Sequence, residues 1–113
     1  MTPTQRTLAE CRKRGWTAQV VEQTIPRTFI KRDLFGCIDI IAIARNENTP
    51  TAIVGIQTTS STNHAARVAK AKAEPRIAAW LKAGGIFTVW SWAKRGARGK
   101  QKRWTLREEA VTP

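Results

Sequence analysis

The chain has 113 residues, 42% of them hydrophobic and 25% charged, which is typical of one globular domain, 1–113, and excludes a disordered chain. No apolar run reaches the roughly 20 residues of a membrane helix, and the N-terminus lacks an apolar signal core, so we expect a cytoplasmic protein without a membrane partner. Twenty Lys and Arg against eight Asp and Glu give a net charge of +12. That excess predicts a polyanionic partner, with nucleic acid favoured over an acidic protein.

The first predicted element is a helix that begins at Pro3. Thr2 is a typical N-cap, and Gln5 completes a capping box. Gly15 is typical of a helix stop, so we expect the helix to end near Arg14. Residues 16–23 alternate loosely and contain β-type side chains, which predicts a strand.

A β-hairpin is predicted next. Residues 37–44 are apolar on both faces, which is typical of a central strand. Residues 46–50 predict a turn, and residues 52–58 form a second apolar run. Cys37 and Cys11 have no metal-ligand spacing and are interpreted as reduced, buried side chains.

The C-terminal half predicts a helix over 63–83, which Pro75 kinks or divides into two abutting helices. Residues 86–92 predict a strand, with 104–107 as its hairpin partner. The order α-β-β-β-α-β-β predicts an α/β fold with a mixed central sheet flanked by helices. His64, the only histidine, is interpreted as structural, although a role as a base or phosphate contact stays open.

Two polar side chains break the apolar pattern of the predicted hairpin. If the turn centres near Asn48, Asp39 lies opposite Gln57 on the same side of the sheet. A buried, unpaired carboxylate costs several kcal/mol, so Asp39 must be paired, hydrated or metal-bound. An ion pair with an arginine is one alternative, and a magnesium site is the other, because Mg²⁺ takes carboxylate and amide oxygens.

The segments RDLFGCIDIIAI and AIVGIQTTS, separated by a turn and placed between helices, resemble the PD-(D/E)XK nuclease superfamily. The likeness is greatest to small resolvase-like, VRR-type and phage-encoded members, related to the Holliday-junction resolvases. It implies a restriction-endonuclease-like α-β-β-β-α-β core and a Mg²⁺- or Mn²⁺-dependent DNA endonuclease directed by DNA structure. It also implies the host cytoplasm for a phage-encoded chain, and a possible homodimer through exposed apolar residues in 86–92.

The resemblance assigns roles to individual residues. Asp39 corresponds to the metal-binding aspartate, and Gln57 lies where the family usually has Glu or Asp. Thr59 lies where the family usually has a catalytic lysine, and Thr58 beside it is a further candidate metal ligand. Glu10 corresponds to a glutamate on the first helix that is associated with the metal in resolvase-like members.

The Q-x-T sequence departs from the E-x-K pattern of the family and removes both a negative charge and the expected cation. Lys70 or Arg67, which share a helix face, could replace the missing lysine. Asp33 or Glu22 could supply the third carboxylate if Glu10 faces elsewhere. The departure also leaves open a second function, a nucleic-acid-binding module that has lost catalysis.

Basic residues predict the nucleic-acid surface, and we expect phosphate contacts without base reading. DNA is favoured over RNA. The candidate nucleic-acid-binding residues are Arg27, Lys31 and Arg32 before the hairpin, and Lys94, Arg95, Arg98, Lys100, Lys102 and Arg103 between the last two strands. Trp90, Trp92 and Trp104 could stack on bases, but strand alternation places at least some of them in the core.

Overall fold

The computed structural model describes all 113 residues and has an α/β fold with a mixed five-stranded sheet. The helices are α1 (Pro3–Lys13), α2 (His64–Ala73) and α3 (Pro75–Lys82), and a 3-10 turn (Ser61–Asn63) precedes α2. The strands are β1 (Thr17–Val20), β2 (Gln23–Thr24), β3 (Lys31–Arg32), β4 (Ile40–Asn46), β5 (Thr49–Ser60), β6 (Ile86–Arg95) and β7 (Arg103–Ala110). The predicted mixed sheet with flanking helices is confirmed.

The strand order in the sheet is β1-β4-β5-β6-β7, and β2 and β3 form a separate two-stranded hairpin. β5 and β6 are parallel, whereas the other neighbouring pairs are antiparallel. A parallel pair needs a long crossover connection, and α2 and α3 provide it. None of the helices combines the length and apolar character required to cross a bilayer.

The helix boundaries agree with their sequence signals. The Thr2 hydroxyl accepts a hydrogen bond from the Gln5 amide, and the Gln5 side chain accepts one from the Thr2 amide, which completes the capping box. Gly15 follows α1 with φ of +76°. Pro75 divides the second predicted helix into two, because proline cannot donate the interior hydrogen bond and disfavours helical geometry in the residue before it.

Several predicted strand limits were wrong by a few residues. The central strand begins at Ile40 rather than Cys37, because Leu34 and Ile38 pair across a tight turn in which Gly36 has φ of +75°. The β4–β5 turn is tighter than predicted, since the strands extend to Asn46 and from Thr49. Backbone pairing with neighbouring strands continues beyond the apolar runs, which lengthens β5, β6 and β7.

The sheet separates two layers of core. On one side, Cys11 of α1 packs with the sheet residues Ile40, Ala42, Ala44, Val54, Ile56 and Trp90. On the other side, with α2 and α3, lie Cys37, Ile38, Val68, Ala71, Ile77, Phe87, Val89 and Val111. Both cysteines are free and fully buried, as predicted.

The second face of the sheet is only partly covered. Ile43 and Ile53 are 40% and 55% exposed on this face, so β4 is not buried on both faces as its composition predicted. The strand 86–92 also differs from the predicted dimer surface. Residues 87–92 are buried within the chain, and Ile86 alone of this segment is exposed.

Candidate functional site

Asp39 lies immediately before β4 and faces Gln57 of β5. The pairing of Ile40 with Ile56 sets this register, as the sequence predicted. The Asp39 Oδ2 atom accepts hydrogen bonds from Gln57 Nε2 at 3.0 Å and from the Thr58 backbone amide at 2.8 Å. The carboxylate is 5% exposed, so neighbouring protein groups rather than bulk water determine its properties.

The backbone on both sides holds Asp39 in place. Its amide donates to the Ile56 carbonyl at 2.9 Å, and its carbonyl accepts from the Val21 amide at 2.9 Å. These bonds join the end of β1 to β5 through Asp39. The site is therefore part of the sheet's hydrogen-bonded framework, even though Asp39 lies outside β4.

Two further carboxylates converge on Asp39. One oxygen each from Glu22, Asp33 and Asp39 lie within 4.8 Å of one another. Gln57 Nε2 also lies 3.4 Å from Asp33 Oδ2, so the amide bridges two of the acids. Glu22 is 3.7 Å from the Lys31 ammonium. The alternative third carboxylates considered from the sequence are thus the ones brought together.

Glu10 does not join this group. Its carboxylate pairs with Arg14 Nε at 3.3 Å, and Arg14 also forms two bonds to Glu108 at 2.9 and 3.0 Å. This network ties α1 to β7, and Cys11 of α1 packs against the opposite face of the sheet. The prediction that Glu10 belongs to the Asp39 site was wrong, because the packing of α1 directs Glu10 away from that site.

Burial and the neighbouring acids change the protonation of Asp39. Removal from water raises the pKa of Asp39 to about 8, and a hydrogen bond with Asp33 contributes in the same direction. The Thr58 amide opposes this rise, and the charge of Glu22 adds to it. A cation placed among these carboxylates would reverse the balance by favouring the ionised form.

Gln57 turns its Nε2 atom to the acidic cluster and leaves its own acceptor oxygen unpaired. Its side chain is 2% exposed, and Oε1 has no hydrogen-bond partner while Nε2 donates to the acids. A rotation of the Gln57 amide group would exchange its oxygen and nitrogen atoms with little change in shape, so that the oxygen would face the acids. The donor set of three carboxylates and one amide oxygen fits a hard divalent cation.

The neighbours of Gln57 divide between the two faces of β5. The Thr58 hydroxyl lies 3.0 Å from the Thr4 hydroxyl of α1, so only the Thr58 backbone contacts Asp39. Thr59 is buried and shares the face of Gln57 by strand alternation. A threonine hydroxyl cannot supply the positive charge of the family lysine.

The proposed replacements for that lysine differ in position. Burial raises the pKa of the Cys37 thiol, and the positive charge of Lys70 on α2 opposes that rise. The groups that shift the pKa of Asp39 most include neither Lys70 nor Arg67. Arg67 lies half-buried on α2, and its predicted role stays a prediction.

A groove of about 270 Å³ opens beside Asp33 and contains two arginines. Arg32 and Arg76 line it, and Arg76 also bonds Glu74 at 2.6 Å. Sequence reasoning missed Arg76, because only the packing of α3 against the turn before Asp39 brings it there. Its position directly after Pro75, at a helix start, carried no signal for this site.

Two basic projections lie at the same edge of the sheet as the acidic cluster. β1 ends and β4 begins there, and the β2–β3 hairpin with Arg27, Lys31 and Arg32 connects them. Gln57 pairs with Val89, and β6 continues six residues beyond it to Arg95, about 20 Å at the rise of a strand. The exposed β6–β7 loop therefore projects past the site. It carries the predicted basic residues Arg98, Lys100 and Lys102, and the strand ends beside it carry Lys94, Arg95 and Arg103.

The tryptophans divide between core and surface, as predicted. Trp90 and Trp92 are buried, and the Trp92 indole donates to Thr7 at 2.9 Å. Trp104 is 44% exposed, with the Arg6 guanidinium 3.8 Å from its ring centroid. That arginine covers one face of the Trp104 ring.

His64 is buried in a structural network. Its Nδ1 lies 2.6 Å from the Ser91 hydroxyl, and its Nε2 lies 3.0 Å from Glu109 Oε1. Ser91 is 1% exposed, so no substrate reaches this serine. The histidine joins α2 to β6 and β7, in agreement with the structural interpretation.

No protein-family model, curated protein or solved structure matches this chain.

Proposed function

We propose that this protein is a metal-dependent nuclease that hydrolyses phosphodiester bonds in DNA. The observation that carries the proposal is the convergence of Glu22, Asp33 and Asp39 within 4.8 Å, at a sheet edge flanked by basic projections. A chain of net charge +12 that brings three of its eight acidic residues together at this point is suited to holding a cation beside a polyanion. The succession α1, β1, β4, β5, α2, β6 supports the proposed likeness to restriction-endonuclease-like cores.

The residues divide into two roles. Asp39, Asp33 and Glu22 would hold Mg²⁺ or Mn²⁺ through carboxylate oxygens, and Gln57 would add its unpaired Oε1. When bound, the cation would activate water and neutralise charge that develops on the phosphate. Arg32 and Arg76 in the adjoining groove would position the phosphate through charge-assisted hydrogen bonds.

Cleavage of short oligonucleotides tests the proposal. The purified chain and Asp39→Ala are incubated with single-stranded, duplex and branched DNA, with Mg²⁺ or Mn²⁺ and separately with chelator. We expect metal-dependent products from the native chain and none from the variant. Glu47→Gln is the matched control, because it removes an exposed carboxylate from the β4–β5 turn. Cleavage that persists in chelator or in Asp39→Ala would refute the proposal.

A nucleic-acid-binding module without catalysis is the second candidate. The specific observation in its favour is that Gln57 and Thr59 replace the usual acid and lysine, while Gln57 already donates to Asp39 at 3.0 Å. Such a module would bind DNA with strong salt dependence and cut none of the substrates with any metal. The cleavage assay separates the two functions directly.

A further inference from the structure

The β2–β3 hairpin forms a defined projection rather than a loose loop. The Ile25 amide donates to the Ile30 carbonyl at 2.9 Å, and the Thr28 hydroxyl donates to the Ile25 carbonyl at 2.9 Å. Arg27 takes a left-handed backbone with φ of +64°, which closes the turn. These bonds give the tip a fixed shape and direction.

The tip presents apolar side chains to solvent. Phe29 is 103% exposed, so no other part of the chain covers it, and Ile30 is 60% exposed. A phenylalanine left in water forgoes the free energy of burial, which makes this position unusual for a residue with no ligand. Around it are basic side chains, Arg27, Lys31 and Arg32, and residues 23–32 contain no acid.

We propose that Phe29 is a wedge that stacks against a base at an unpaired or weakly paired step of bound DNA. The inference rests on the proposed nuclease function and specifies its substrate class, which is DNA that contains a single-stranded or flexible nucleotide. The chemistry of the ring supports it. A phenyl group has no hydrogen-bond donor or acceptor, so it stacks on any base without reading sequence.

The cost of insertion gives the wedge its selectivity. In a perfect duplex an inserted ring must first separate two stacked base pairs, whereas an unpaired nucleotide is already free to move. The arginines and the lysine beside Phe29 can contact the phosphates on both sides of the opened step. The hairpin would therefore discriminate DNA by structure.

The hairpin also connects the wedge to the acidic cluster. Its two legs continue directly into Glu22 and Asp33, which are members of that cluster. Phe29 is four residues from Asp33, at most about 13 Å along an extended chain. With about 3.4 Å per nucleotide along one strand, cleavage should fall within roughly four nucleotides of the stacked step.

The experiment uses duplexes with one bulged 2-aminopurine, and matched perfect duplexes, in chelator so that no cutting occurs. Binding affinity and 2-aminopurine fluorescence are measured for the native chain, Phe29→Ala and Phe29→Trp. We expect Phe29→Ala to weaken binding to the bulged duplex about tenfold and to abolish the fluorescence change, while binding to the perfect duplex stays within about twofold. Phe29→Trp should retain both the affinity for the bulged duplex and the fluorescence change, because tryptophan also has an aromatic face.

Ile53→Ala is the matched control, since Ile53 is 55% exposed but lies on the open face of the sheet. It should leave binding to both duplexes unchanged. Equal losses of affinity for both duplexes in Phe29→Ala would overturn the wedge. Binding to phosphatidylserine vesicles is measured in parallel, and the wedge is also overturned if Phe29→Ala loses vesicle binding while its DNA binding is unchanged.

The two proposals fail in different ways. If the native chain binds and cuts DNA, and Phe29→Ala binds and cuts both duplexes as the native chain does, the wedge alone is refuted. If the native chain binds neither duplex at 50 mM salt, both the wedge and the nuclease function are refuted. Preferential cutting within four nucleotides of the bulge, lost in Phe29→Ala, supports both.

Discussion

At the residue scale, Asp39 has a firmly held backbone and a carboxyl group in surroundings that disfavour its charge. It is fixed by backbone hydrogen bonds on both sides, and its carboxyl group is buried beside Asp33 and Glu22. The raised pKa of Asp39 means that the folded chain retains a proton that the unfolded chain releases. Stability and cation binding are therefore coupled at this residue, since a cation competes with that proton.

The first prediction concerns pH. Between the ordinary pKa of 3.8 and about 8, the folded state binds more protons than the unfolded state, so the free energy of unfolding falls as pH rises through this window. Asp39→Asn should remove this fall, which is on the order of a few kcal/mol for a carboxyl buried this deeply. Urea denaturation at pH 5 and pH 8 measures it.

Glu47→Gln provides the control for that experiment, because it changes the net charge by the same amount at an exposed position. A pH slope in Asp39→Asn that equals the native slope would contradict the prediction.

The second prediction tests which carboxylates serve the site. Asp33→Asn should reduce metal-dependent cleavage by roughly 100-fold or more, because it removes an oxygen from the cation's surroundings. Glu10→Gln should change cleavage only slightly, since Glu10 pairs with Arg14 on the other face of the sheet. Initial cleavage rates at saturating Mg²⁺ give the comparison. The reverse ranking would restore the role that the resemblance gave to Glu10.

At the element scale, the packing of Gly55 in β5 fixes the segment that carries Asp39. A Cβ atom at Gly55 would lie 2.8 Å from Ile38 Cδ1 and 3.0 Å from Cγ1. Ile38 precedes Asp39 directly, so its side chain packs on the bare backbone of β5 at the position that sets the site. The absence of a side chain at Gly55 allows this approach.

The third prediction follows from that contact. Gly55→Ala should lower the free energy of unfolding by about 1–3 kcal/mol, as overpacking does in cores. Ile38→Val removes the nearest methyl group, so the double variant should recover part of the loss. Chemical denaturation of the four chains of the double-mutant cycle measures the coupling. Strictly additive effects would show that the contact carries no strain.

The helix-to-sheet network at His64 is a second feature at this scale. His64→Ala would leave the buried Ser91 hydroxyl without its partner and open a cavity, so we expect a loss of about 2–4 kcal/mol. Arg107→Ala removes an exposed partner of Glu109 and should cost at most about 1 kcal/mol. Thermal denaturation of both variants measures this fourth prediction, and similar losses would contradict it.

At the scale of the whole molecule, charge and topology act together. The hairpin at Arg27, the acidic cluster and the β6–β7 loop all lie at one edge of the sheet. The negative charge of the cluster is thus surrounded by the cations that attract a polyanion. A strand of DNA that spans the two projections would pass over the cluster.

The fifth prediction is the salt dependence of DNA binding. Each phosphate contact contributes about −0.9 to the slope of log K against log salt concentration for duplex DNA. Neutralising Lys100 and Lys102 with glutamine should therefore reduce the magnitude of the slope by about 2 if both contact phosphates. Lys82→Gln, at the end of α3, is the control. An unchanged slope in the double variant would place DNA elsewhere.

The sequence alone determined those features that depend on neighbours along the chain. The capping box around Thr2, the break at Pro75 and the hairpin register that sets Asp39 against Gln57 all follow from local hydrogen bonding and side-chain alternation. The buried cysteines and the division of the tryptophans followed from apolar patterning in the same way.

Only the tertiary structure decided which other groups join Asp39. Glu22 and Asp33 lie in a segment without periodic patterning, and a tight turn at Gly36 returns the chain so that their oxygens meet. The packing of α1 sends Glu10 to the opposite face, and α3 brings Arg76 to the groove. Periodicity specifies which face a side chain takes within an element, but the contacts between elements depend on how the whole core packs, and no local pattern encodes them.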